Sequence, residues 1–261
     1  MERHDYTEVN SKAIDDWVDE GWEWGTPISH EDYLKAKNGQ WRDVPILLTP
    51  QKQVPAEWFA PYLKDNRLDG VRLLGLASGG GQQMPVFAAV GACCTVFDNS
   101  ARQLENERIV SEREGYSIEI IKGDMTKRLP FGDEAFDIVF HPVSNSYVED
   151  VYHVWRECFR VLKKGGVLLA GMDNGLSYLC NEDNPLLIVN KLPYNPLKDE
   201  ELYKRCIEES GGSVQFSHTI EEQIGGQLKA GFTLTDLYED TDNEGIGEYA
   251  PNYIATRAVK P

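Results

Sequence analysis

From residue 71 onward the chain reads as short apolar runs separated by amphipathic stretches. The runs place strands near 71–76, 93–98, 117–121, 136–141 and 166–172. Between them, Ser100 with Gln103 forms a capping-box pair, and Val151, Trp155, Cys158 and Leu162 make one apolar helical stripe. Lys163-Lys164-Gly165 then supplies the charge and the glycine expected at a helix end. After residue 172 the alternation loosens around Pro185, Pro193 and Pro196. It resumes with a helix starting at Thr219, which has Glu222 three residues on, a stripe of Ile220, Ile224 and Leu228, and a stop at Gly231. Two further β-like runs, Phe232 to Tyr238 and Tyr253 to Val259, flank an acidic, glycine-containing loop. Strands alternating with helices predict an α/β protein with a mostly parallel sheet covered on both faces.

Residues 1–66 follow another pattern. Strand alternation is missing there, acids are frequent, and Trp17, Trp22, Trp24, Trp41 and Trp58 are five of the six tryptophans. Ser29 precedes the acidic turn Glu31-Asp32, and Pro55 opens Ala56-Glu57-Trp58-Phe59-Ala60 as a first-turn proline would. The expectation is a helical N-terminal cap or lid over 1–66, with a Rossmann-like domain over 67–261.

Charge narrows the partners. Lys and Arg total 26 against 43 Asp and Glu, a net charge of −17 in 261 residues, which repels phosphate backbones and anionic lipid. Nucleic acid and membrane are therefore not expected as partners. The N-terminal residues lack a signal-peptide pattern, no stretch approaches the ~18 apolar residues of a membrane helix, and the five cysteines form no C-x-x-C pair. A cytoplasmic protein with reduced thiols is expected. Five scattered histidines without H-x-x-x-H spacing predict no metal site.

The richest chemistry follows the first strand. Val71 to Leu76 runs into Ala77-Ser78-Gly79-Gly80-Gly81-Gln82-Gln83, a glycine loop of the kind that lets a ligand approach bare backbone N–H groups. The second strand delivers Asp98, an acid placed for ribose hydroxyls and expected to be free because Ser100 caps the next helix. A third strand ends in Gly123-Asp124-Met125, offering an acid for an exocyclic amine and an apolar cover for a purine. The fourth ends in His141-Pro142-Val143-Ser144-Asn145-Ser146-Tyr147, at the carboxyl strand edge where α/β sheets take ligands.

These segments, with Trp155 to Gly166, resemble class I S-adenosylmethionine-dependent methyltransferases over about residues 67–176. Leu74 to Gln83, His141 to Asn145, Ser217-His218-Thr219 and Gln223 to Phe232 resemble an uncharacterised bacterial small-molecule branch of that family. The resemblance implies a seven-stranded, doubly wound sheet with an antiparallel last strand and S-adenosyl-L-methionine as cofactor. Gly79 and Gly81 would wrap its methionine part, Asp98 would hold the ribose, and Asp124 with Met125 would meet the adenine. The full set of cofactor contacts it implies is Ala77, Ser78, Gly79, Gly80, Gly81, Gln83, Asp98, Asn99, Gln103, Asp124, Met125 and His141. The first motif departs from the family twice, with Gly75 where an acid is usual and Ala77 in place of the first glycine.

The function implied is methyl transfer to a small-molecule acceptor, with His141 and His218 as candidate catalytic bases. Trp24, Trp41 and Tyr147 are expected near the crevice, where aromatic faces favour a cation. An NAD(P)-dependent oxidoreductase is the alternative, although Met84 stands where the third glycine of its motif belongs. A non-catalytic cofactor-binding protein of the same fold is a third reading.

Overall fold

The computed structural model describes residues 5–181, 184–209 and 212–261. Seven strands form one sheet: β1 (Arg72–Leu76), β2 (Cys93–Asp98), β3 (Glu119–Lys122), β4 (Phe136–His141), β5 (Leu162–Asp173), β6 (Thr233–Asp240) and β7 (Tyr253–Val259). Their order is β3-β2-β1-β4-β5-β7-β6, and β7 runs antiparallel to both of its neighbours. The helices are α1 (Tyr6–Asp19), α2 (His30–Lys35), α3 (Met84–Ala89), α4 (Ala101–Glu114), α5 (Val151–Val161), α6 (Leu176–Leu179), α7 (Glu200–Glu209) and α8 (Gly226–Ala230).

Side-chain alternation sorts the sheet's residues into two cores. Leu73, Ile138, Phe140, Val167 and Leu169 face one way and pack with Tyr33, Trp41, Val44, Ile46, Leu48, Trp58 and Phe59. Leu74, Val139, Leu168 and Ala170 face the other way and pack with Val151, Trp155 and Cys158 of α5. The N-terminal region therefore has two parts. Residues 33–59 fill a sheet core, whereas α1 is tied across the carboxyl strand ends largely by polar bonds. Asn10 exchanges two hydrogen bonds with the Val214 backbone at 2.9 and 2.6 Å, Ser11 Oγ donates to the Asn99 carbonyl at 2.7 Å, and Ser100 Oγ donates to Asp15 at 2.5 Å.

Two helix expectations change. The α5 stripe is buried as read, but the helix ends at Val161; Leu162 already adopts extended backbone and starts β5, so Lys163 and Lys164 lie in a strand. Gly165, at φ 75°, makes its turn inside the strand rather than as a helix cap. Around α8 the Thr219–Glu222 box forms, with backbone N–H to side-chain bonds of 3.1 and 2.8 Å. The stripe holds only at Ile224, which packs on the core; Ile220 and Leu228 are exposed while Gln223 and Gln227 are fully buried.

Candidate active site

The sheet changes winding direction between β1 and β4, and ligands bind open α/β sheets beyond the carboxyl ends at such a point. A cavity of about 420 Å³ lies there. Its walls come from the β1 loop (Ala77, Ser78, Gly79), the end of β2 (Phe97, Asp98, Asn99), the turn after β3 (Gly123 to Thr126), the segment after β4 (Pro142 to Ser144 and Ser146 to Val148) and Asp173 at the end of β5. Asn10, Ser11 and Ile14 of α1, with Trp22 and Trp24, form the opposite wall, and Leu47 to Pro50 close a side.

Of the anticipated cofactor contacts, Ala77, Ser78, Gly79, Gln83, Asp98, Asn99, Gln103, Asp124 and Met125 line this cavity; Gly80, Gly81 and His141 do not. Gly80 and Gly81 serve packing instead. A Cβ on Gly80 would sit 2.8 Å from the Trp24 carbonyl oxygen, and one on Gly81 would sit 2.9 Å from that of Asn106. The Gly81 N–H donates to Glu107 at 2.8 Å, while the other oxygen of that buried carboxyl has no protein partner. Burial pushes Glu107 up to about 8.

Asp98 is more engaged than expected. Its two carboxylate oxygens accept from the backbone N–H groups of Gly79 (3.0 Å) and Ser100 (2.9 Å). In the expected capping box the Ser100 N–H would donate to the Gln103 side-chain oxygen; here it donates to Asp98, and the Gln103 amide nitrogen donates to the Trp24 carbonyl at 3.2 Å. Burial raises the Asp98 carboxyl above its usual range, opposed by these backbone donors. Asn99 and Gln83 also reach toward the N-terminal segment: Asn99 donates to the Thr7 carbonyl (2.8 Å), and Gln83 accepts from the Leu47 N–H (2.8 Å). Ser78 Oγ and Gln103 Oε1 are buried without protein partners. Asp124 accepts from the Thr126 N–H at 2.8 Å.

The two histidines lie elsewhere. His141 is fully buried, with Nδ1 2.9 Å from the Leu76 carbonyl oxygen and Nε2 2.9 Å from Asn145 Oδ1. Both ring nitrogens face carbonyl oxygens, since the Asn145 amide nitrogen donates to Gln223 Oε1, and burial lowers the ring's pKa. His218 Nε2 is 3.1 Å from the Asn145 carbonyl, and burial lowers its pKa too. Neither histidine lines the cavity. Trp41 also leaves the crevice: it is 1% exposed in the core, and its indole N–H donates to Asn66 at 2.9 Å. Trp24 and Tyr147 do line the cavity.

Sequence reasoning missed Asp173, Tyr178 and Tyr253, which also line the cavity. Asp173 closes a strand that was recognised, and the rule that directed attention to strand four applies equally to strand five.

Both departures in the first motif have physical correlates. A Cβ on Gly75 would lie 2.5 Å from the Met84 sulfur, so Met84 occupies the space an acid would need. Ala77 sits at φ 48°, the left-handed region usually left to glycine. Among the described residues no group of three or more His, Cys, Asp or Glu is placed to hold a metal ion, and no helix is long and apolar enough to cross a membrane.

A family model described as a methyltransferase domain matches residues 74–170. The uncharacterized methyltransferase YbaJ of Bacillus subtilis is 41% identical over 256 residues, covering 96% of this chain and 97% of the relative. A ubiquinone biosynthesis O-methyltransferase of Chelativorans sp. is 28% identical over 106 residues, 41% of this chain and 42% of that protein. Among solved structures, an S-adenosylmethionine-dependent methyltransferase from Mesorhizobium loti has a similar fold, with TM-score 0.57 at 20% identity over 78% of this chain and 98% of the other.

Proposed function

The chain belongs to the class I S-adenosylmethionine-dependent methyltransferases, and from that premise we propose that it transfers the cofactor's methyl group to a small-molecule acceptor bound in the same cavity. The observation that carries this reading is one cavity of about 420 Å³ whose lining includes both the β1 loop with Asp98 and the polar group Asp173. We assign Asp98 to the ribose hydroxyls, Asp124 to the adenine amino group and Met125 to the adenine face. Ser78 Oγ and Gln103 Oε1, buried and unpartnered, fit a polar ligand that completes their hydrogen bonding.

The cofactor supplies an electrophilic methyl group on a sulfonium. The protein's share is alignment and the exclusion of water, and proximity of this kind is worth up to ~7–11 kcal/mol in favourable models. We assign the exclusion of water to α1 and Trp22–Trp24 acting as a lid, which the short polar ties of α1 support. His141 and His218, buried off the cavity, receive no proton-transfer role.

Thermal shift with S-adenosylmethionine, S-adenosylhomocysteine and NADH tests the assignment. A ligand at 100 times its dissociation constant adds ~2.7 kcal/mol, a shift of several degrees for a chain of this size. Both adenosyl ligands should shift the wild type, Asp98→Ala should lose the effect, and NADH should give none. A shift with NADH alone, or an undiminished response in Asp98→Ala, refutes it.

A further inference from the structure

Asp173 is 4% exposed and borders the cavity. Its Oδ1 accepts from the backbone N–H of Gly175 at 2.9 Å, where the left-handed glycine (φ 89°) turns the chain; Oδ2 has no partner in the protein. Leaving a buried carboxylate oxygen without a donor is costly, and such groups are normally matched by a ligand or solvent.

The groups around it leave that oxygen unanswered. Tyr178 of α6 donates its hydroxyl to Gln215 at 2.8 Å. Asp242 already accepts from the Glu244 N–H (3.0 Å) and the Asn252 amide (2.9 Å). Tyr147, Tyr178 and Tyr253 are all raised above their usual pKa, chiefly by burial, so these phenols stay neutral. Among the described residues no Lys, Arg or His lines the cavity, whereas Asp98, Asp124, Asp173 and Asp242 do. An anionic acceptor would meet only like charge here. A cation would meet a carboxylate and aromatic faces.

Building on the methyltransferase reading, we propose that Asp173 binds a protonated small amine through Oδ2 and takes its proton, making the protein an N-methyltransferase of cationic amines. The ammonium N–H bond breaks and its proton passes to Oδ2, leaving a lone pair on nitrogen. That pair forms the N–C bond to the methyl carbon as the S–C bond breaks and its electrons remain on sulfur. The proton on Asp173 then returns to water. Burial, which pushes Asp173 up to about 7, suits a group that must both hold a cation and accept a proton near neutrality.

The test uses the S-adenosylhomocysteine-loaded protein and three probes of one size: benzylamine, benzyl alcohol and benzoate, followed by calorimetry. Benzylamine should bind at least ~10-fold tighter than the other two, and Asp173→Asn should remove that preference while changing S-adenosylhomocysteine affinity less than about twofold. In the wild type, benzylamine affinity should fall as pH drops below about 7, where Asp173 gains a proton while the amine stays charged. That series needs no variant. Equal affinity for the three probes, no benzylamine binding, or a preference unchanged in Asp173→Asn overturns the proposal. So does a variant that loses S-adenosylmethionine but keeps S-adenosylhomocysteine, since the carboxylate would then serve the sulfonium. Failure of the wild type to bind S-adenosylhomocysteine refutes the methyltransferase reading itself.

Discussion

Ala77 holds a left-handed backbone at φ 48° with a Cβ that disfavours it. Replacing it with glycine removes that strain at the cost of a looser unfolded chain. Ala77→Gly should therefore stabilise by about 0.5–1 kcal/mol, read as a higher urea midpoint at unchanged slope. Glu107 makes a pH prediction. Its folded pKa lies at about 8 against an ordinary 4.5, so between those values the folded chain binds the extra proton and stability falls as pH rises, levelling off above about 8. Glu107→Gln should flatten that decline and be more stable than wild type at pH 8 by on the order of 2 kcal/mol, checked by denaturant titrations from pH 5 to 8. At this scale the sequence disclosed residue types better than partners. That Asp98, Asp124 and Met125 line the cavity was legible because each follows a recognisable strand. His141 was misread because nothing local reveals that Leu76 and Asn145 occupy both of its nitrogens.

Elements were legible where their own periodicity decided them, as in the strands and the α5 stripe. They were illegible where a neighbour decided. Around α8 hydrophobicity pointed Ile220 and Leu228 inward, but Gly226 lies so close to Trp155 that a Cβ would come within 2.5 Å of its ring. That approach turns Gln223 toward Asn145 and Gln227 toward the Thr256 hydroxyl, at 2.9 and 3.0 Å. The strand-free segment around Leu47 to Pro50 likewise has no periodic signal, yet it walls the cavity because Gly171 of β5 admits the Leu48 backbone. A Cβ there would fall 1.8 Å from the Leu48 carbonyl oxygen. That oxygen also accepts from the Val143 N–H. Gly171→Ala should cost at least ~2 kcal/mol in thermal or chemical unfolding, because backbone rather than a flexible side chain must give way. An unchanged melting temperature would show that the segment is not seated there.

At the scale of the molecule, the cavity is closed by residues far apart in sequence. Asn10 and Val214, 204 positions apart, share two hydrogen bonds that no local pattern announces. Asn10→Ala leaves the Val214 backbone groups unmatched and should loosen α1 by about 1–3 kcal/mol. Limited proteolysis should then cut within α1 faster, and S-adenosylhomocysteine should dissociate faster, while the melting of the sheet changes little. Equal cleavage and release rates would remove α1 from the role of lid.

The position of β7 has a further consequence for the chain as it leaves the ribosome. The strand that joins β5 to β6 is made last of the seven, 80 residues after β5 ends at Asp173 and β7 begins at Tyr253. At about 5–20 residues per second, β5 waits about 4–16 s with an open edge next to Val167 and Leu169, which are fully buried once folding is complete. The nascent protein thus passes through an interval in which the apolar Val167–Ala170 run of β5 is sticky, and a slow stretch of translation between residues 174 and 252 would lengthen its exposure to chaperones and to other unfinished chains.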